Sequence, residues 1–297
     1  MKISSEALAQ ARQAAARGHL PTFIPLLAAA NPADFALSYR SLRGEEYVAG
    51  EPSPRFPLMS VVKPFLLLYL LCHRGQDSVF RHLGREPSLH PFNSLLQLQE
   101  DRGRPRNPML NSGAIYLASL LEDTDDLARW LNALAGTRLE LDTAMLESVR
   151  SLPNRYNHDL ARLMADSGHL VDPARALAVY NHVCCLAATV ADLSRLGLLL
   201  LQPPPGVEPA HCQTTQDLMS NCGLYEASAD FAARVGFPSK SGVSGAILAL
   251  VPADGAIACY SPPLDAAGNS VAGMLLLHRL AAAPLSPRFL EAKPGGA

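Results

Sequence analysis

Residues 56–71 read FPLMSVVKPFLLLYLL, and within that stretch Ser60 and Lys63 stand three residues apart at the threshold of an apolar run. Three residues is close to one helical turn, so the two side chains share a face. A serine hydroxyl is a poor nucleophile at neutral pH until a base removes its proton. A lysine can be that base when an apolar wall lowers its pKa toward 7. The same two residues would also serve as a helix N-cap followed by a surface lysine. Pro64 limits where the helix can begin. Proline inside a helix clashes with the carbonyl four residues back, which is that of Ser60, but the first turn tolerates it. The helix is therefore expected to begin at or just before Ser60. That sets the serine hydroxyl and its own N–H at a positive helix end, where an oxyanion is stabilised.

A second stretch, residues 239–243, reads Ser-Lys-Ser-Gly-Val and runs into the strand-like AILALVP. Lys-Ser-Gly on a strand resembles the Lys-Thr-Gly element that accompanies Ser-x-x-Lys in serine acyl-transferring enzymes. Gly242 allows backbone to approach a substrate closely.

Between and around these stretches the pattern is strands at both ends and helices in the middle. FALSYRSL and EEYVAG form an expected strand pair around Arg43-Gly44. AILALVP and AIACYSP form a second pair around Ala253-Asp254-Gly255. Residues 107–201 carry five segments with apolar spacing near 3.6. Asn269 is placed to cap a final helix, and the tail EAKPGGA reads as disordered. The expected architecture is an α/β (α+β) fold in which N- and C-terminal strands close one antiparallel sheet and a helical block packs beside it. One domain spans 1–297, with a sheet subdomain from about 1–60 and 225–290 and a helical subdomain from about 61–224.

Composition narrows the function. The net charge is −2, without a basic cluster, which argues against nucleic acid as a partner. The apolar runs PFLLLYLLC and LGLLLL are too short to cross a bilayer, and the amphipathic N-terminus does not read as a secretory signal. None of the six cysteines forms a C-x-x-C pair, and no histidine has metal-ligand spacing. A cytoplasmic protein with no metal or other cofactor is expected.

Taken together, several segments resemble the serine-dependent glutaminases, which share the β-lactamase/penicillin-binding fold. They are HLPTFIPLLAAANPADFAL (19–37), SVVK (60–63), GRPRNPMLNSGAI (103–115), NCGLYEASADFA (221–232), VGFPSKSGVSGAILALVP (235–252) and SPPLDAAGNSVAG (261–273). The resemblance implies that Ser60 is the nucleophile and Lys63 its base, with Tyr225 relaying or orienting a proton. It implies an oxyanion hole from the N–H groups of Val243 and Ser60, and an amino-acid substrate held by Asn111, Asn157 and Tyr180. It also implies a homodimer or homotetramer.

The chain departs from the family at informative positions. Seven residues before Asn157, where the family has the glutamate that holds the substrate's ammonium, stands Arg150. Glu147 is three residues earlier, Phe23 replaces a family tyrosine, and Tyr156 replaces a family arginine. The reaction so implied is hydrolysis of glutamine, a small-molecule amide, through a Ser60 acyl-enzyme. Two alternatives stand beside it. One is a Ser-Lys hydrolase of another amide or ester that suits Arg150. The other is a non-catalytic amino-acid-binding descendant.

Overall fold

The computed structural model describes residues 3–50, 54–88, 90–91, 94–151 and 155–282. Its main sheet is antiparallel. β1 (Ala36–Ser41) and β2 (Glu46–Gly50) form the first hairpin, and Gly44 at its turn has φ 86°, a conformation that favours glycine. Three further strands, β3 (Phe56–Pro57), β4 (Glu140–Leu141) and β5 (Leu186–Ala188), form a small separate sheet in the order β3-β5-β4. β6 (Ser239–Ser241), β7 (Ala246–Val251) and β8 (Gly255–Tyr260) complete the main sheet in the order β2-β1-β8-β7-β6. β1 pairs directly with β8, Leu37 opposite Cys259, so the two ends of the chain are joined as the sequence leads one to expect.

β7 and β8 are buried at every position. They are apolar on both faces because both faces are covered. The Ser5–Ala15 and Val271–Ala282 helices pack on one face, where Ala11, Leu37, Ile247, Ile257 and Leu276 share a core. The Val190–Leu201 helix covers the other with Leu193, Leu196 and Leu200 against Leu248 and Ala258. Gly197 is where this helix comes closest: a Cβ there would meet that of Ala256 at 2.6 Å.

The helices between β3 and β6 enclose the Lys63–Val79 helix. From Phe65 to Leu68 it is buried all round, so it has no solvent face and shows no polar stripe. The α-helix proper starts at Lys63, with Pro64 in its first turn, and a 3₁₀ turn over Met59–Val62 carries Ser60. The final helix corrects an expectation. Asn269 does not cap it; its side chain is turned toward Ser241 and Leu224. Ser270 supplies the cap, its Oγ accepting from the N–H of Gly273 at 3.3 Å. The tail read as disordered lies outside the described residues.

Candidate active site

The small sheet fixes the place of Ser60. β3 pairs with β5, Phe56 opposite Ala188, and the N–H of Leu58 donates to the carbonyl of Leu186 at 2.8 Å. Phe56 also stacks on Tyr260 of β8 with ring centroids 4.5 Å apart, tying the small sheet to the main one. The chain then turns sharply at Met59, whose φ of 47° is unfavourable for a side chain of that size. Ser60 follows, 7% exposed. Tyr225 also has a positive φ, 56°, so two strained residues flank the site.

Lys63 is completely buried. Its Nζ donates to the carbonyl of Met109 and to Oδ1 of Asn111, both at 2.9 Å. Tyr180 OH donates to the same Oδ1 at 3.2 Å, and Asn111 Nδ2 donates to Oδ1 of Asn157 at 3.0 Å. Asn111 therefore ties together Lys63, Tyr180 and Asn157. These groups come from four helices, Lys63–Val79, Asn111–Ser119, Arg155–Asp166 and Pro173–Cys184. Burial lowers the Lys63 ammonium to about 8, which brings the neutral amine within reach of neutral pH.

Ser60 hydrogen-bonds Tyr225, whose ring oxygen also approaches the carbonyl of Ser241 at 3.4 Å. Burial pushes the Tyr225 phenol up to about 12, so it stays a neutral donor. Lys240 lies over the Tyr225 ring, its Nζ 4.5 Å from the centroid, and donates to the carbonyls of Gly223 and Ser241. Burial and then the like charge of Lys63 depress its pKa well below the usual lysine range.

Across from Ser60, a Cβ on Gly242 would stand 3.3 Å from the Ser60 nitrogen and 2.8 Å from the carbonyl oxygen of Leu58. The Gly242 backbone thus lies directly against the serine, and Val243 is the next residue along it. Among the described residues neither the Ser60 N–H nor the Val243 N–H donates to another backbone carbonyl. Two such donors at one place can receive an oxyanion.

A model of the glutaminase family matches residues 18–285. The chain belongs to the glutaminase family. A glutaminase of Synechocystis sp. is 46% identical over 279 residues, covering 91% of this chain and 85% of that protein. Among solved structures, the probable glutaminase ybaS is similar with a TM-score of 0.83 at 32% identity, over 94% of this chain and 96% of that one. The native form of Mglu is similar with a TM-score of 0.86 at 30% identity, over 93% of this chain and 70% of that one. The glutaminases among these neighbours carry the β-lactamase-like fold, with its antiparallel sheet and helical block.

Of the residues singled out in the sequence, the structure gathers Ser60, Lys63, Tyr225, Val243, Asn111, Asn157 and Tyr180. It places Arg150 elsewhere. Arg150, exposed at the end of the Thr143–Ser151 helix, lines a cavity with Arg175, Ala178, Val179 and His182. On a helix of 3.6 residues per turn, Ala178 and His182 project about 160° away from Tyr180. The guanidinium therefore sits behind the helix whose front face carries Tyr180. Counting residues back from Asn157 could not show this, because a helix end and an interhelical turn intervene. Glu147 is exposed on the same helix.

Three groups in the site were not assigned to it from the sequence, which placed Asn269 only as a helix cap. Lys240 was visible in Lys-Ser-Gly but not its contact with Tyr225. Asn269 holds Ser241, accepting from its Oγ at 2.6 Å. Cys184 is four residues after Tyr180, hence on the same face, and the two side chains hydrogen-bond. Burial pushes the Cys184 thiol up to about 11, so it stands there as a neutral thiol.

Proposed function

We propose that the protein hydrolyses the side-chain amide of L-glutamine to L-glutamate and ammonia through an acyl-enzyme on Ser60. The observation that carries this is the buried Lys63, lowered to about 8, one helical turn from Ser60, whose own N–H, among the described residues, donates to no backbone carbonyl, like that of Val243. In this reading Lys63, as the neutral amine, removes the Ser60 proton while Oγ attacks the amide carbon. The oxyanion is received by the N–H groups of Ser60 and Val243. Tyr225, neutral and bonded to Ser60, passes a proton toward the departing ammonia. Water then attacks the ester by the same route in reverse, which frees glutamate and restores Ser60. Asn111, Asn157 and Tyr180 present amide and hydroxyl groups that can orient the amino-acid end.

The family membership supports glutamine as the substrate. The placement of Arg150 removes the reason for preferring a different amide, because the guanidinium does not face Asn111 or Tyr180. A non-catalytic descendant would have no need of a desolvated lysine beside a serine. All six cysteines are free thiols, which supports a cytoplasmic setting. No helix among the described residues is long and apolar enough to cross a membrane. We carry a homodimer or homotetramer as part of the same proposal, on the strength of the family resemblance.

The test is ammonia release from glutamine and from other carboxamides, paired with mass spectrometry after exposure to a glutamine-like electrophile. We expect release from glutamine and an adduct on Ser60. An adduct elsewhere, or release only from other amides, would overturn the reading.

A further inference from the structure

Two histidines away from the Ser60 cluster face one another. His82 follows the Lys63–Val79 helix and His169 follows the Arg155–Asp166 helix. Their Nδ1 atoms are 3.1 Å apart, with ring centroids at 5.3 Å and planes crossing at 64°. At that separation one Nδ1–H donates to the other Nδ1, so one ring directs its Nδ1 lone pair at its neighbour. Both rings line a cavity of about 370 Å³ together with Tyr116, Ser119 and Asp172.

We propose that His82 and His169 form a binding site for a divalent transition-metal ion such as Zn²⁺, held by the two Nδ1 atoms, with water from the adjoining cavity completing its coordination. Two nitrogens bound to a tetrahedral zinc lie about 3.4 Å apart, so the pair would open by only a few tenths of an ångström. On binding, the proton that one Nδ1 donates to the other moves to the Nε2 of its own ring, so two neutral rings take the ion without net loss of a proton.

Other neighbours set the strength. No group of three His, Cys, Asp or Glu side chains is placed to hold a metal among the described residues, so the protein supplies two ligands here. Arg81 and Arg175 share the cavity and Arg104 acts on His169, all opposing a cation, while Asp172 favours one. The affinity expected is micromolar, with Cu²⁺ bound more tightly than Zn²⁺.

The test uses the full chain freed of metal, titrated with Zn²⁺ by calorimetry at about pH 7.5 and again at about pH 5.5. The wild-type protein should take up one equivalent, more weakly at the lower pH because protons compete. His82→Ala and His169→Ala should each weaken binding at least about tenfold. Electron paramagnetic resonance of the Cu²⁺-loaded wild-type protein gives an independent reading that needs no variant, and should show two nitrogen ligands. The absence of a bound equivalent, unchanged affinity in both variants, or a Cu²⁺ spectrum without two nitrogens would overturn the proposal.

Discussion

Lys63 Nζ and Asn111 Oδ1 are 2.9 Å apart, and that oxygen also accepts from Tyr180. One amide oxygen thus holds the candidate base and one wall of the amino-acid site. Because an amide carries no charge, it orients the amine without raising its pKa as a carboxylate would.

The dyad itself is tested first. Ser60→Ala should abolish ammonia release, since the acyl-enzyme forms on that hydroxyl and the Cys184 thiol nearby, pushed up to about 11 by burial, stays neutral. Lys63→Ala should lower kcat by at least about two orders of magnitude, the usual worth of a general base. A folded Ser60→Ala variant that still turned over glutamine would rule out the acyl-enzyme.

The Lys63–Asn111 bond gives a pH prediction. With a pKa of about 8, Lys63 is about one-tenth neutral at pH 7 and half neutral at pH 8. The base form increases with pH, so kcat/KM should rise about fivefold between pH 7 and 8 and level off above. Asn111→Asp sets a carboxylate beside the ammonium, which stabilises the charged form and moves this rise to higher pH. A pH–rate profile left in place by Asn111→Asp would show that Lys63 is not the titrating base.

A third prediction concerns the backbone facing Ser60. The Cβ of Gly242→Ala would meet the Leu58 oxygen at 2.8 Å and the Ser60 nitrogen at 3.3 Å. One of the two segments must move, and either movement misplaces an oxyanion donor. Loss of one such donor costs about two to three orders of magnitude in kcat. The measurement is kcat against KM, with the melting temperature as a control for folding. Wild-type kcat in the variant would show that the two segments do not form the oxyanion site.

The sequence made some of this legible and concealed the rest, for physical reasons. Ser60 and Lys63 were readable because Pro64 restricts the helix start. The β1–β2 and β7–β8 hairpins were readable because apolar runs flank turn residues. The β3-β5-β4 sheet was not, since strands of two or three residues show no alternation. Asn269 looked like a cap because a helix does follow it, but the neighbouring Ser270 was an equally good cap. The β6 strand, 28 residues earlier in the chain and brought close only by the fold, uses the asparagine instead.

Asn269 should accordingly matter for the Lys-Ser-Gly strand. It accepts from Ser241 Oγ at 2.6 Å and donates to the Leu224 carbonyl at 3.3 Å, and both groups are buried. Asn269→Ala leaves the buried Ser241 hydroxyl without its partner, at a cost of about 1–3 kcal/mol, while the Leu224 carbonyl keeps the N–H of Ala227 at 3.1 Å. Thermal unfolding should fall by several degrees for a chain of this size. An unchanged melting temperature would show that water replaces the amide without loss.

The last prediction concerns Arg150, which stands where the family resemblance leads one to expect an ammonium-binding glutamate. Had the guanidinium faced the substrate, its charge would repel free glutamine, and Arg150→Glu would improve kcat/KM by orders of magnitude. It instead lines the cavity of Ala178 and His182, with the Pro173–Cys184 helix between it and the face that carries Tyr180. The charge acts through solvent-exposed surroundings, where screening leaves little of it. We therefore expect Arg150→Glu to change kcat/KM for glutamine by no more than about threefold, with the remaining effect diminishing as salt is raised. A tenfold or greater fall in KM alone would mean that the side chain reaches the substrate after all.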